Sequence, residues 1–168
     1  YFNQEDSYDV GLFGRNNGKI ANAGILDSYF YGTSKVGGVC GYNSKGTIIN
    51  SYNAGSVSGL EYVGGVSGIN YTGSITDCYN IGSVSGSEGY VGGVSGDNNG
   101  GTITNSYNAG SVSGIERYVG GVNGWNKGTI TNCYNIGSVS GSGYVGGVNG
   151  WNNGTITNCL YRSCDRHE

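Results

Sequence analysis

The 168-residue chain predicts an all-β fold: a right-handed parallel β-solenoid of about six coils of 26–28 residues, with three short strands per coil and no helix. Three observations carry this. A Gly-Gly-Val-x-Gly element ends at Gly41, Gly68, Gly96, Gly124 and Gly150, with a degenerate copy ending at Gly14, at intervals of 27, 27, 28, 28 and 26. Each unit holds three short pieces rich in Val, Ile, Thr and Tyr, bounded by Gly, Asn or Ser, which is the pattern of strands and turns. Apolar residues nowhere recur at helical spacing, and 36 Gly interrupt every candidate helix.

Taken in order, residues 1–32 form an irregular opening coil, 33–161 the regular coils and 162–168 a tail. A second register, Ser28, Ser51, Cys78, Ser106, Cys133 and Cys159, has a short first interval of 23, and it places Tyr29 below Tyr52. One unit cannot bury its apolar side chains alone, whereas stacked units lay each strand beside its copy about 4.8 Å away and extend a narrow core. The columns expected inside are Val39, Val66, Val94, Val122 and Val148; Ile48, Ile75, Ile103, Ile130 and Ile156; and Val57, Val84, Val112 and Val139. A 55-residue period gives the column Ala54, Ile81, Ala109 and Ile136, whose alternation suits interlocking layers if it points inward. Gly46, Gly73, Gly100, Gly128 and Gly154 close turns that call for positive φ, and recurrent Asn predicts amide ladders along the axis. Right-handedness rests on the strong preference of parallel crossovers.

Composition removes several function classes. The net charge is -3 and the eight Lys and Arg are scattered, so no basic face is offered to nucleic acid. No apolar run approaches the ~20 residues that cross a bilayer. The chain has one His, at position 167, which leaves Ser-His and Cys-His catalytic devices without a base. With no Met at its start and an opening inside the repeat, the chain reads as a piece of a longer protein.

The recurring string Tyr-Val-Gly-Gly-Val-x-Gly-x-Asn-x-Gly-Thr-Ile-Thr-Asn-Cys-Tyr-Asn-x-Gly-Ser-Val-Ser-Gly resembles the GLUG repeat, and Gly11-Leu12-Phe13-Gly14 is close to the form for which that motif is named. The resemblance runs from about Asp9 to Tyr161. It implies a secreted or cell-surface bacterial protein of adhesin-like type, or the non-catalytic region of an IgA-specific metallopeptidase, and it implies no catalytic residues. The peptidase zinc signature His-Glu-x-x-His is absent, because His167-Glu168 ends the chain.

The expected function is therefore non-enzymatic: an extracellular structural or adhesive module, a rigid stalk or a segment that self-assembles end to end. Its partners are neighbouring repeats, copies of itself, or a host or matrix glycan or protein. The competing reading is a carbohydrate-binding or carbohydrate-cleaving β-helix working through its Trp and Tyr strips. Tyr42, Trp125 and Trp151 are the candidate binding residues, because they share one column that also holds Ile69 and Asp97. No cofactor is called for; Ca²⁺ is the one ion that the acidic stripe Glu61, Glu88 and Glu116 admits. Among five Cys, those in the Ser column serve packing, and Cys159 with Cys164 is the candidate terminal disulfide.

Overall fold

A computed structural model describes residues 2–162, with side chains from Ser7 onward. Six coils wind in parallel, and among the described residues there is no helix. Strands of successive coils pair in register through one ten-stranded and three six-stranded sheets. In the fourth coil the segments are Tyr90–Gly92, Ser95–Asn99, Thr102–Thr104, Tyr107–Asn108 and Val112–Gly114. The three expected strands all form. Two further pairings join them, at Ser95–Asn99 and Tyr107–Asn108, whose Gly and Asn content hides them from propensity rules.

Alternation within each strand decides which side chains meet the axis. Ile48, Ile75, Ile103 and Ile130 are fully buried, as are Val39, Val66, Val94 and Val122, with Val57, Val84 and Val112 almost so. Val139, Val148 and Ile156 belong to the last described coil and are only partly covered. Each buried aliphatic side chain contributes roughly 1.5–3 kcal/mol. The tube is too narrow to hold many, so the interior is filled in part by amides.

Two columns of buried Asn run through that interior. Asn16, Asn43, Asn70, Asn98 and Asn126, with the exposed Asn152 at the last coil, are linked by Nδ2–H donation to the Oδ1 of the next coil, each at 2.8 Å. Asn53, Asn80, Asn108 and Asn135 form a second ladder of the same polarity at 2.7–2.8 Å. The second hydrogen of Asn108 goes to the Gly110 carbonyl at 2.8 Å, and its Oδ1 also accepts the Gly110 N–H. This column starts on Ile25, paired with Asn53, and ends under Tyr161, paired with Asn135, so an apolar residue closes it at each end. The amides also explain glycine: a Cβ on Gly38 would lie 2.7 Å from Asn53 Oδ1, and one on Gly46 would lie 2.7 Å from Asn43 Oδ1.

Positive φ falls elsewhere than the turn glycines. Of Gly46, Gly73, Gly100, Gly128 and Gly154, Gly100 alone has it, and Gly100 is an extra residue beside the column, whose true member is Gly101. The left-handed position is instead the residue before the Ser/Cys column: Asn22, Asn50, Asp77, Asn105, Asn132 and Asn158, with φ of 49–57°. Asn and Asp tolerate this conformation best among residues with a Cβ. Here they build a third, exposed ladder, donating from Asn158 to Asn132 to Asn105 and ending on Asp77, which can only accept.

Two other expectations are corrected. Ile81 and Ile136 are exposed, so the Ala54, Ile81, Ala109, Ile136 column faces outward; it follows the inward Asn by one residue, and the strand period of two turns it to solvent. In the opening coil Gly24, rather than Tyr29, pairs with Tyr52, which makes Ala23 the residue below Ser51 and restores an even repeat. Tyr29 instead pairs with Ser56, within the long strand Tyr29–Gly37 that runs unbroken where later coils carry a loop.

Replacing Asn108 by Ala breaks its links to Asn80 and Asn135 and both of its bonds to Gly110, leaving the Asn80 amide with the Gly82 carbonyl and the Asn135 carbonyl with the Gly137 N–H; equilibrium denaturation should record a loss of about 2–5 kcal/mol. At Asn105, exposed and left-handed, Ala should cost about 1–2 kcal/mol and Gly less; equal losses would show that side-chain hydrogen bonding, and not φ, selects Asn there.

Candidate functional site

The tight Gly-Gly-Val corner between Tyr-Val-Gly and Ser-Gly-x-Asn folds the outer faces of two strands toward each other. It brings together two columns that lie apart in sequence: Tyr62, Tyr90, Tyr118 and Tyr144 on one strand, and Ile69, Asp97, Trp125 and Trp151 on the other. Tyr90 meets Trp125 edge-on at 4.9 Å between ring centroids. Tyr118 stacks on Trp151 at 5.5 Å and lies 6.3 Å from Trp125, and Tyr144 meets Trp151 edge-on at 5.1 Å. Trp125 and Trp151 thus share Tyr118 as a neighbour. Tyr42, three coils below Trp125 in the same column, packs with Tyr71 and under the Arg15 guanidinium, outside this cluster.

Asp97 occupies the middle of the cluster and is 3% exposed. Its Oδ1 and the Trp125 Nε1 are buried without hydrogen-bond partners among the described residues. Burial pushes the Asp97 carboxyl up to about 7, against the opposing pull of the Lys127 ammonium. That ammonium sits 3.8 Å from the centre of the Trp125 ring. Burial also raises the Tyr62 hydroxyl, helped by Tyr90, Glu61 and Asp97. Spacing on the sequence shows Asp97 as one acidic interruption of an aromatic column; its burial follows only from the corner.

The acidic stripe is split by register. Tyr62 pairs with Tyr90 and Tyr90 with Tyr118, which aligns Glu61 with Gly89 and Arg117, while Glu88 reaches the level of Leu60. Glu61, Glu88 and Glu116 do line one groove with Arg117, Tyr62 and Tyr90, and Glu61 accepts a 2.8 Å hydrogen bond from Ser34. Among the described residues no three His, Cys, Asp or Glu side chains converge to hold a metal ion.

A second aromatic array lies on another face. Tyr52, Tyr79, Tyr107 and Tyr134 stack at 4.8–5.0 Å with planes within 6° of parallel. The thiols Cys40, Cys78 and Cys133 are buried and free, and burial pushes them up to about 12, 11 and 12, which keeps them protonated and unreactive. Cys159 is free and half-buried. Its candidate partner Cys164 lies outside the described residues, as does His167.

Fold and interior together define a parallel β-solenoid repeat domain. The family described as the GLUG motif matches residues 59–85, the span of one coil. A solved structure described as "a putative immunoglobulin A1 protease from Bacteroides ovatus" superposes with a TM-score of 0.79 at 25% identity, over 94% of this chain and 56% of that one. The chain therefore spans little more than half the length of that relative. No curated protein matches the chain in sequence.

Because folded Asp97 holds its proton to higher pH than the unfolded chain, whose carboxyl titrates near 3.8, stability should fall as pH rises from about 4 to 7 and then level. Asp97→Asn removes that fall, so the variant should gain on the parent by on the order of 2–4 kcal/mol between pH 4 and pH 8. Parallel melting curves that do not diverge would place the proton elsewhere.

Proposed function

We propose that this domain is a non-catalytic structural module of a secreted or cell-surface protein, a rigid spacer of stalk or adhesin type. The observation that carries the reading is the uninterrupted in-register stack of six coils, cross-linked along its axis by two buried amide ladders. Parallel stacking converts sequence repetition into length at about 4.8 Å per coil, so six coils span roughly 29 Å of stiff rod. The GLUG match and the likeness to part of a larger, protease-named protein support a role as an accessory region. No helix among the described residues is long and apolar enough to cross a membrane.

End-to-end growth is an extension of the same reading. The Asn16 ladder is polar, with Asn152 at its donor end, and Val139, Val148 and Ile156 in the last described coil are only partly covered. A second copy would pair there. Against it stand Ile25 and Tyr161, which close the other ladder.

Small-angle scattering should return a compact monomer about 29 Å along its axis, and concentration-dependent growth would establish the filament. Incubated with immunoglobulin A1, the purified domain should leave the heavy chain intact; cleavage fragments would overturn the non-catalytic assignment.

A further inference from the structure

We propose that the corner formed by Tyr90, Asp97, Trp125 and Lys127 is a binding site for a neutral saccharide ring. The argument starts from two buried polar atoms on adjacent coils of one column: Asp97 Oδ1, an acceptor, and Trp125 Nε1, a donor, neither with a protein partner. Leaving such atoms unpaired carries a desolvation penalty, and a ligand that pairs both recovers it. A sugar supplies both functions, since each hydroxyl donates and accepts. Its C–H face suits the half-buried Trp125 ring, which the buried Tyr90 braces edge-on at 4.9 Å.

Charge narrows the ligand class. A cation is disfavoured because Lys127 already occupies the Trp125 face at 3.8 Å and Arg117 lies in the neighbouring groove. An anion is disfavoured by the groove carboxylates Glu61, Glu88 and Glu116. A neutral, hydroxyl-rich ring meets neither obstacle. Lys127 is exposed and attached by a flexible stem, so it serves as the displaceable cover of the indole face, and its ammonium remains near as a further donor. The exposed Trp151 and Tyr144, with Tyr118 between them and Trp125, continue the aromatic surface one coil further, room for a second sugar unit.

This site is independent of the spacer reading, because an inert corner leaves rod shape and monomer state unchanged. The test is calorimetric titration of the folded domain with a panel of trisaccharides: β-1,4-linked glucose, mannose and N-acetylglucosamine, and a galactose-containing lactosamine series. At least one should bind with a millimolar or tighter Kd. Asp97→Ile and Trp125→Ile each install the residue that the same column carries at Ile69, which protects folding, and each should weaken that binding at least about tenfold, equal to about 1.4 kcal/mol. Tyr134→Ala, in the aromatic stack on the other face, should leave it unchanged. No binding by folded wild-type domain across the panel up to about 10 mM overturns the proposal. So does binding that survives both Ile variants, or preferential binding of choline.

Discussion

The constraint on which everything else depends is that each coil must place its backbone amides and its Asn side chains directly over those of its neighbours. A tube this narrow cannot hold a conventional apolar core, so polar groups are taken inside and every one of them needs a partner. Stacking supplies it along the two buried Asn columns. The Asn98 amide donates to Asn126 of the next coil and to the Gly101 carbonyl, and accepts from Asn70 of the coil below. Because every link in the two buried ladders points the same way, the amides polarise one another and no coil can slip by one residue without orphaning several.

Glycine follows from the same requirement. Where amide columns pass close to main chain, a methyl group has no room, and the Gly-Gly corner and the Gly after each turn are the consequences. That corner in turn produces the feature on which the ligand proposal rests. By folding two outward faces together it gathers Tyr90, Trp125 and Tyr118 around a carboxyl that would be solvated on a flat sheet. The raised proton affinity of Asp97 and its unpaired oxygen are thus by-products of packing geometry on which binding chemistry can be built.

Six-fold repetition also separates what is generic from what is local. The Tyr52 to Tyr134 stack, the exposed Asn ladder and the Ile column recur in coil after coil and carry stability. Asp97, Trp125 and Lys127 do not recur as a set, since the equivalent column holds Arg15, Tyr42 and Ile69 in earlier coils. A departure from the repeat that buries a titratable group is the kind of local exception expected of function.

Fold class, coil number and the identity of the buried Val and Ile were legible in the sequence because a period of about 27 residues, combined with strand alternation, leaves little freedom in where side chains point. The Asn43 to Asn152 and Asn50 to Asn158 ladders were legible as columns, though not their polarity or which of them is buried; the Asn53 to Asn135 ladder emerged only from the structure. Three things needed the tertiary structure. Which residue takes positive φ is decided by where the coil turns, and it fell on Asn105 and its equivalents rather than on the turn glycines. The register of the opening coil, with Gly24 under Tyr52, is decided by pairing across coils. The meeting of the Tyr and Trp columns depends on the angle of the Gly-Gly corner, a three-dimensional quantity that repeat spacing does not encode.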